Sequence, residues 1–412
     1  MAVASLPVSP GERTQSLDVL RGVAVLGILV MNIQAYSMIP AAYMNPVALG
    51  PLRGADWFAW LAGHVFADRK FISIFSMLFG AGIVIFAKRA EARGDSPAGL
   101  HYRRMAWLLL FGLAHAYLLW YGDILTTYAV CGALLYPLWR LPPRRLLFLG
   151  LGAVALCTAI YVLSGWSMRF WPPERIEALA RAIWLPSPEA RERAIEVYRG
   201  GWLTQMRARI PSALSLQTSH FLMYSVWRVG GLMLIGMALH KWGVLSAERG
   251  PAFYRRLVLL GALVGVPIIL LGTLRDAQEG WDFHRSFFLG RQFNEWGSLS
   301  LALAYIGAVM LACRAASAAW LTRRLAAVGR MAFSNYIAQT LICTTLFYGH
   351  GFGLYGGVSR SGQLGFVAAI WALQLAYSPW WLARFRFGPI EWLWRSLTYG
   401  RRQPFRWERS DP

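Results

Sequence analysis

Long apolar runs separated by short polar clusters dominate the pattern along this chain. A helix needs about 20 residues to cross the hydrocarbon of a bilayer, and a backbone in lipid must bond internally. Runs of that length therefore predict membrane-spanning helices. They lie at about 17–39, 71–87, 105–121, 124–139, 146–165, 221–239, 257–274, 296–313, 331–349 and 364–381. The pattern predicts an all-α polytopic membrane helix bundle with about ten transmembrane helices.

The longest polar interval divides the runs into two groups of five. Residues 1–15 predict a polar N-terminal segment, residues 16–382 a transmembrane domain with a long loop at 166–219, and residues 383–412 a basic and aromatic tail. Within the loop, Ser187 and Pro188 fit the cap and first position of a helix that Gly200 would end. We expect two or three short helices over one mouth of the bundle, or else a solvated spacer.

Composition and charge set the topology. Hydrophobic residues make up 57% of the 412 positions and charged residues 15%, with a formal net charge of +21. More than half of the lysines and arginines fall in short clusters that lie, by alternation of the runs, on one side. Basic loops stay in the cytoplasm, so both termini are predicted to be cytoplasmic and loop 166–219 periplasmic. Clusters scattered between apolar runs contact membrane lipids rather than nucleic acid, and a bacterial inner membrane is the predicted location.

Ionisable residues inside apolar runs mark candidate functional positions, because charge at membrane depth is costly. Asp18 and Arg21 stand three residues apart and share one helix face. Asn32 follows Arg21 by eleven residues, which places it on the same face about 16 Å along the helix. A ligand passing from the inner to the outer leaflet could contact both Arg21 and Asn32. The alternative is a local Asp18–Arg21 pair at the membrane interface.

His115 and Asp123 are the second candidate group. Eight residues separate them, which is about 12 Å along a helix and 80° around it. They could line one cavity, but a direct hydrogen bond would require the helix to bend. A neutral histidine there could act as a general base. Alternatively, His115 bonds a carbonyl of a neighbouring helix and Asp123 caps the helix that begins at Ile124.

Three further polar residues lie within spans. Arg228 needs a carboxylate or an anionic ligand, and Asp123 and Glu295 are candidate partners at its depth. Asn335 and Gln339, four residues apart, form a polar face that either contacts a ligand or joins helices by hydrogen bonds. The interpretation that connects these residues is a single hydrated chamber through the bilayer. No metal site is predicted, since the four cysteines stand isolated within apolar runs.

Five short segments combine these polar residues with glycines and aromatic residues. They are SLDVLRG at 16–22 with Gly27 and Asn32, KFISIFSMLFG at 70–80, His115 with WYGDIL at 120–125, GRMA at 329–332 with Asn335, Tyr336 and Gln339, and GPIEWLWR at 388–395 with YGR at 399–401. Together they resemble the signatures of the YeiB-like family of bacterial inner-membrane proteins, itself a domain of unknown function. The resemblance covers nearly the whole chain outside loop 166–219.

The first-span motif is also similar to that of membrane acyltransferases, which include heparan-α-glucosaminide N-acetyltransferase and bacterial sugar O-acyltransferases. The O-acyltransferases carry a histidine where this chain has Asn32, and the heparan enzyme carries its proposed catalytic histidine where this chain has Tyr43. The resemblance implies transfer of an acyl group from cytosolic acyl-CoA to a hydroxyl or amine of a small-molecule, lipid or sugar acceptor on the periplasmic side. In that interpretation another residue must replace the missing histidine.

The acyltransferase hypothesis assigns roles to eight residues. The catalytic candidates are His115, Asp123, Asn32 and Arg228, and the acyl-CoA candidates are Asp18, Arg21, Asn335 and Gln339. Two other hypotheses use the same residues: a small-molecule or lipid transporter, or a membrane protein without turnover. A homodimer is compatible with each of them.

Overall fold

The chain folds almost entirely into helices. The structure is a computed structural model that describes residues 15–407. Residues 1–14 of the predicted N-terminal segment and residues 408–412 of the predicted tail therefore lie outside the described residues. The α-helices are α1 (Gln15–Ser37), α2 (Pro40–Met44), α3 (Gly54–Phe66), α4 (Lys70–Ala92), α5 (Pro97–Ala114), α6 (Leu125–Leu135), α7 (Pro143–Ser167), α8 (Pro173–Ile183), α9 (Pro188–Arg199), α10 (Trp202–Gln217), α11 (Val226–Lys241), α12 (Pro251–Gln278), α13 (Arg291–Ala312), α14 (Ala319–Arg330), α15 (Ala332–Phe347), α16 (Arg360–Leu382) and α17 (Pro389–Tyr399).

Each of the ten predicted runs lies on helix, and the all-α membrane bundle is confirmed. Within residues 15–407, six helical stretches are long and apolar enough to cross a bilayer: 15–37, 54–92, 143–170, 202–241, 251–278 and 285–312. The other predicted runs form helices that are shorter, interrupted or more polar. The figure of about ten spans therefore stays a prediction.

Two helices at the edge of the bundle present an apolar surface outward. Leucines of α7 and α12 are largely exposed, with Leu163 and Leu260 each at 61%. Neither helix buries much of its length, whereas α1 is mostly enclosed. Such an exposed apolar surface would be unfavourable in water, and it suits contact with lipid chains.

Glycines allow the central helices to cross at close range. A side chain at Gly80 of α4 would overlap the backbone of Met233 in α11, and one at Gly236 would overlap the backbone of Met77. Gly329 of α14 meets α1 in the same way. Small residues at such crossings let backbones pack directly. Gly80 and Gly329, which belong to two of the family-like segments, therefore serve helix packing.

The loops sort into two layers. On one side Lys241 donates to the carbonyl of Leu141 at 2.7 Å, and Arg140 pairs with Glu91. We call this the basic side, and it is the side that the sequence predicts to be cytoplasmic. At the other end, the opposite side, Gly349 N donates to the carbonyl of Tyr198 in the long loop at 2.9 Å.

Loop 166–219 consists of helices α8, α9 and α10, as the pattern predicts. Ser187 Oγ accepts the Ala190 N–H at 3.3 Å, and Pro188 occupies the first turn. Gly200 follows the last residue of α9. The predicted start and end of this helix are confirmed. The predicted basic and aromatic tail contains α17, which packs against α5 and α15.

The third predicted run contains an interruption that places the site. After α5, residues His115–Leu119 form a turn of π-helix, and an irregular segment leads to Leu125, where α6 begins. Trp120 is extended, with φ −156° and ψ 126°. This break is the bend that a direct contact between His115 and Asp123 requires.

Candidate functional site

A large cavity opens toward the basic side of the bundle. Its volume is about 590 Å³, and its walls come from α1, α4, α5, α6, α11, α14, α15 and α17. Along α4 the lining extends from Arg89 to Phe75, which is about 21 Å at 1.5 Å per residue. This lined length of α4 is about two thirds of the roughly 30 Å thickness of a hydrocarbon layer.

The interior of the cavity is apolar and its mouth is cationic. Phenylalanines and leucines such as Phe75, Leu78 and Leu108 line the inner part. Seven cationic side chains and three carboxylates also line the wall. They are Arg21, Lys88, Arg89, Arg93, Arg104, Arg330 and Arg395, with Asp18, Asp95 and Glu391. The excess of positive charge favours an anionic group at the mouth.

Two of the three carboxylates are already engaged. Asp18 Oδ1 accepts from Arg21 Nη1 at 2.6 Å, as their spacing predicts. Glu391 binds the first turn of α15: it accepts the Phe333 N–H at 2.7 Å and the Ser334 hydroxyl at 2.5 Å. A carboxylate at a helix N-terminus satisfies free N–H groups and the helix dipole. Glu391, in the C-terminal family-like segment, thus fixes α17 to α15.

Three guanidinium groups at the mouth have no carboxylate partner. Within residues 15–407, Arg104, Arg330 and Arg395 take part in no ion pair. Arg104 lies 4.5 Å from the ring centroid of Trp394, and Arg395 lies 4.8 Å from that of Phe387. Stacking on a ring holds a guanidinium in place and leaves its N–H groups available in the ring plane. These arginines are positioned donors for an anion.

The inner end of the cavity reaches a buried histidine. Tyr336 and Ile124 line this end, and the Tyr336 ring lies 5.2 Å from the His115 ring. His115 Nδ1 is 2.8 Å from Asp123 Oδ1. Both side chains are 1% exposed. His115 and Asp123 therefore form a buried pair directly behind the cavity wall.

The break after α5 creates this pair. Straight helix would keep His115 and Asp123 about 12 Å apart along the axis, but the π-turn and the extended Trp120 fold the chain back. Asp123 also accepts the Thr126 N–H at 2.7 Å, so it caps α6 as one alternative predicted. The other part of that alternative is wrong: His115 bonds side chains, namely Asp123 and Thr340, and not a helix carbonyl.

Arg228 lies in a separate polar group nearer the opposite side. Its Nε donates to Glu295 Oε1 at 2.5 Å, and its Nη2 donates to Ser73 at 2.9 Å. Arg69 pairs with the same carboxylate. Glu295 is thus the partner of Arg228, and Asp123 is not. The prediction of one chamber shared by Arg21, His115, Asp123 and Arg228 is wrong, since only Arg21 lines the cavity.

Three other predicted site residues do not line the cavity. Asn335 is fully buried and donates to Ser378 at 3.2 Å, and Gln339 donates to Gln374 at 2.9 Å. These bonds join α15 to α16, which is the helix-joining role considered as the alternative. Asn32 is half-buried, and its side chain makes no hydrogen bond with the described residues.

A small second pocket lies on the opposite side. It holds about 60 Å³, and His64, Asp68 and Trp281 are part of its wall. Asn294 donates to Asp68 at 2.6 Å. Arg69, in the same wall, has a left-handed backbone with φ 67°, a conformation that costs energy for a residue with a side chain. This second pocket is therefore small and partly polar.

Several residues at the site were not predicted from the sequence. Thr340 and Tyr36 join His115, and Arg104 and Arg395 face the cavity. Threonine and tyrosine in an apolar run are ordinary helix residues, and arginines in basic loops fit the topology rule alone. Arg395 belongs to the family-like segment at 388–395, which indicated that the residue could matter for function. The segment did not indicate that the arginine faces the cavity.

The fold and the cavity define an integral membrane protein with an amphiphilic cavity on its basic side. The chain belongs to the YeiB-like family: residues 239–401 match the family described as "Protein of unknown function (DUF418)". It is 33% identical to YeiB of Escherichia coli K12 over 398 residues, 94% of this chain and 96% of that one. It is 31% identical to YxaH of Bacillus subtilis 168 over 413 residues, 97% of both chains. No solved structure gives a significant match.

Proposed function

We propose that this chain is an acyltransferase of a bacterial inner membrane that takes its acyl group from acyl-CoA on the cytoplasmic side. The acceptor is a hydroxyl or amine of a small molecule, lipid or sugar on the periplasmic side. The observation that carries the proposal is the cavity, in which a mouth with unpaired arginines leads through an apolar interior to the His115–Asp123 pair.

The charge and polarity of the cavity fit a donor with a polyanionic head and an apolar end. Coenzyme A carries several phosphate charges, and arginines bind phosphate through paired N–H donors. Arg104, Arg330 and Arg395 are the guanidinium groups that lack a carboxylate. The apolar interior would hold the acyl chain and exclude water from the thioester.

The chemistry needs a base near the thioester, and His115 is the candidate. Its Nδ1 faces Asp123, which fixes the ring and stabilises the imidazolium that forms when Nε2 takes a proton. Asp18 supports the donor site indirectly through its bond to Arg21. Asn335, Gln339, Asn32 and Arg228 have no part in this proposal, because the cavity wall does not include them.

Calorimetry on the detergent-purified chain tests the donor site, with CoA, acetyl-CoA and palmitoyl-CoA as probes. Loss of one hydrogen-bonded charge costs about 1.5–3 kcal/mol, so Arg104→Ala and Arg395→Ala should weaken binding about 10- to 100-fold. Arg384→Ala is the matched control. Arg384 also stacks on a tryptophan, Trp380 at 4.4 Å, but it is exposed and lies outside the cavity.

Transfer is measured separately, as incorporation of labelled acetyl from acetyl-CoA into isolated envelope material. His115→Asn should abolish incorporation while CoA binding changes less than about twofold, because His115 lies behind the wall. Absence of acyl-CoA binding by the unmodified chain would refute the proposal. Uptake of an anionic lipid into proteoliposomes without any need for CoA would instead indicate a transporter.

A further inference from the structure

Thr340 stands next to His115 in an arrangement that the function proposed above does not use. Thr340 lies on α15, and its Oγ1 is 2.9 Å from His115 Nε2. Tyr36 of α1 places its hydroxyl 2.6 Å from the same Oγ1. Together with Asp123, these side chains form a continuous line from carboxylate to imidazole to hydroxyl. The side chains are buried and come from three separate parts of the chain.

With Asp123 ionised and His115 neutral, the donor and acceptor requirements of this line determine where its protons lie. An ionised Asp123 can only accept, so His115 Nδ1 carries the ring proton. The Nε2 atom of a neutral imidazole then has only a lone pair to offer, and the Thr340 hydroxyl must donate to it. Tyr36 must in turn donate to Thr340. This is the protonation state in which a histidine can remove the proton of a hydroxyl nucleophile.

The Thr340 hydroxyl is not committed to its own helix. Threonine in a helix commonly donates to the carbonyl one turn earlier, and here that carbonyl, of Tyr336, lies 3.4 Å away. His115 Nε2 is the closer acceptor at 2.9 Å. The hydroxyl proton therefore points toward the base.

Two buried donors beside the line have no partner. Within residues 15–407, the Tyr336 hydroxyl and Trp120 Nε1 make no hydrogen bond, although each side chain is 3% exposed. Tyr336 also lines the inner end of the cavity. An unpaired buried donor is unfavourable, and a carbonyl oxygen that gains negative charge would satisfy it. A carbonyl group bound here would supply the acceptor that these two donors lack.

We propose that Thr340 is the nucleophile of a covalent acyl-enzyme, a proposal that rests on the acyltransferase function above. Thr340 Oγ1 attacks the thioester carbonyl while His115 Nε2 takes the hydroxyl proton. The C–S bond then breaks, His115 returns the proton to the sulfur, and CoA leaves as a thiol. The acyl group remains on Thr340 as an ester. The acceptor hydroxyl or amine attacks that ester through the same base, and Thr340 regains its proton.

A covalent acyl-enzyme would divide the transfer of the acyl group from the cytoplasmic to the periplasmic side into two steps. Both steps would take place at Thr340. CoA needs to approach only from the cavity, and the acceptor needs to meet only the Thr340 ester. Tyr336 stands between the cavity and His115, so its side chain must turn aside for the thioester to enter. Tyr336 and Thr340 lie one turn apart on α15, so the side chain that moves stands beside the nucleophile.

Isotope exchange tests this step without knowledge of the acceptor. The purified chain is incubated with acetyl-CoA, octanoyl-CoA or palmitoyl-CoA and labelled CoA, and the label that enters acyl-CoA is measured. An acyl-enzyme that forms reversibly gives exchange with no acceptor present. Acid-quenched samples are digested and examined by mass spectrometry for an ester on the peptide that contains Thr340.

The variants separate nucleophile from packing. Thr340→Val keeps the shape and removes the hydroxyl, and it should lower exchange about 100-fold or more. Thr340→Ser keeps the hydroxyl and should retain exchange within about tenfold. CoA binding by calorimetry should change less than twofold in both, since Thr340 does not line the cavity.

Each result decides a different question. Exchange that depends on the Thr340 hydroxyl, with an ester at this position, supports the acyl-enzyme. Acyl-CoA binding without exchange by the unmodified chain overturns the acyl-enzyme and leaves the transferase, as does exchange that persists in a folded Thr340→Val variant. No acyl-CoA binding by the unmodified chain refutes the transferase proposal itself.

Discussion

The close crossing of α4 and α11 predicts that a single methyl group added at the crossing strongly destabilises the fold. A Cβ at Gly80 would overlap the backbone carbonyl of Met233, and the same holds for Gly236 against Met77. Backbone atoms cannot rotate aside as a side chain can. Gly80→Ala therefore requires the helices to separate by on the order of 1 Å to restore a normal contact of about 3.5 Å.

Gly82 of the same helix provides the matched control. A Cβ there meets nothing within 4 Å. Both substitutions gain the preference of alanine over glycine in a helix, about 0.5–1 kcal/mol. That gain cancels when the two variants are compared, so the difference between them is the cost of overpacking, about 1–3 kcal/mol. Gly82→Ala should be neutral or slightly stabilising.

The assay is unfolding of purified protein in mixed micelles as the fraction of SDS rises, followed by circular dichroism. The double variant Gly80→Ala with Gly236→Ala should cost less than the sum of the singles, because one separation relieves both contacts. Equal stability of Gly80→Ala and Gly82→Ala would refute the close crossing. Full additivity of the double variant would show that the two glycines do not share one contact.

Three further predictions follow from other contacts. Glu295→Gln should destabilise the fold by about 3–5 kcal/mol, because two buried guanidinium groups lose their shared carboxylate. The control is Glu177→Gln, in an exposed pair with Arg181, which should destabilise the fold by less than about 1 kcal/mol in the same unfolding assay. Glu391→Leu should lower the stability of the fold by about 2 kcal/mol or more, because the N–H groups of Phe333 and Ser334 lose their acceptor, and Glu391→Gln should lower it by about half as much. Thermal melting measures both effects, and equal melting temperatures of the two variants and the unmodified chain would contradict the capping role. In a cysteine-free background, Ala178→Cys in α8 should react with an impermeant maleimide on intact cells and Ser317→Cys only after permeabilisation, and the reverse pattern would contradict the predicted topology.

Local signals were sufficient for much of the fold. The apolar runs located the helices because a backbone in lipid has few alternatives. The cap at Ser187 and the stop at Gly200 were predictable because both depend on neighbours in sequence. The pairing of Arg228 with Glu295 was among the predicted alternatives, since a buried cation needs a carboxylate at similar depth.

The candidate site depends on contacts that sequence spacing does not reveal. The His115–Asp123 bond requires a turn of π-helix at 115–119 and an extended Trp120. Residues 115–119 contain no glycine or proline that would predict this break in the helix. Glu391 caps a helix that begins 59 positions earlier. Asn335 and Gln339 were predicted to bind a ligand because their spacing places them on one face of a helix. Spacing does not show which neighbouring helix packs against that face.

The walls of the cavity come from both ends of the chain, with Arg21 near the beginning and Arg395 near the end. During synthesis the early helices would enter the membrane as an open groove whose arginines lack the covering helix. Lipid headgroups or water would occupy that groove until translation reached α17. Completion of the cavity is therefore one of the last events in the biogenesis of this protein, and early termination of synthesis would leave an inserted but unfinished bundle.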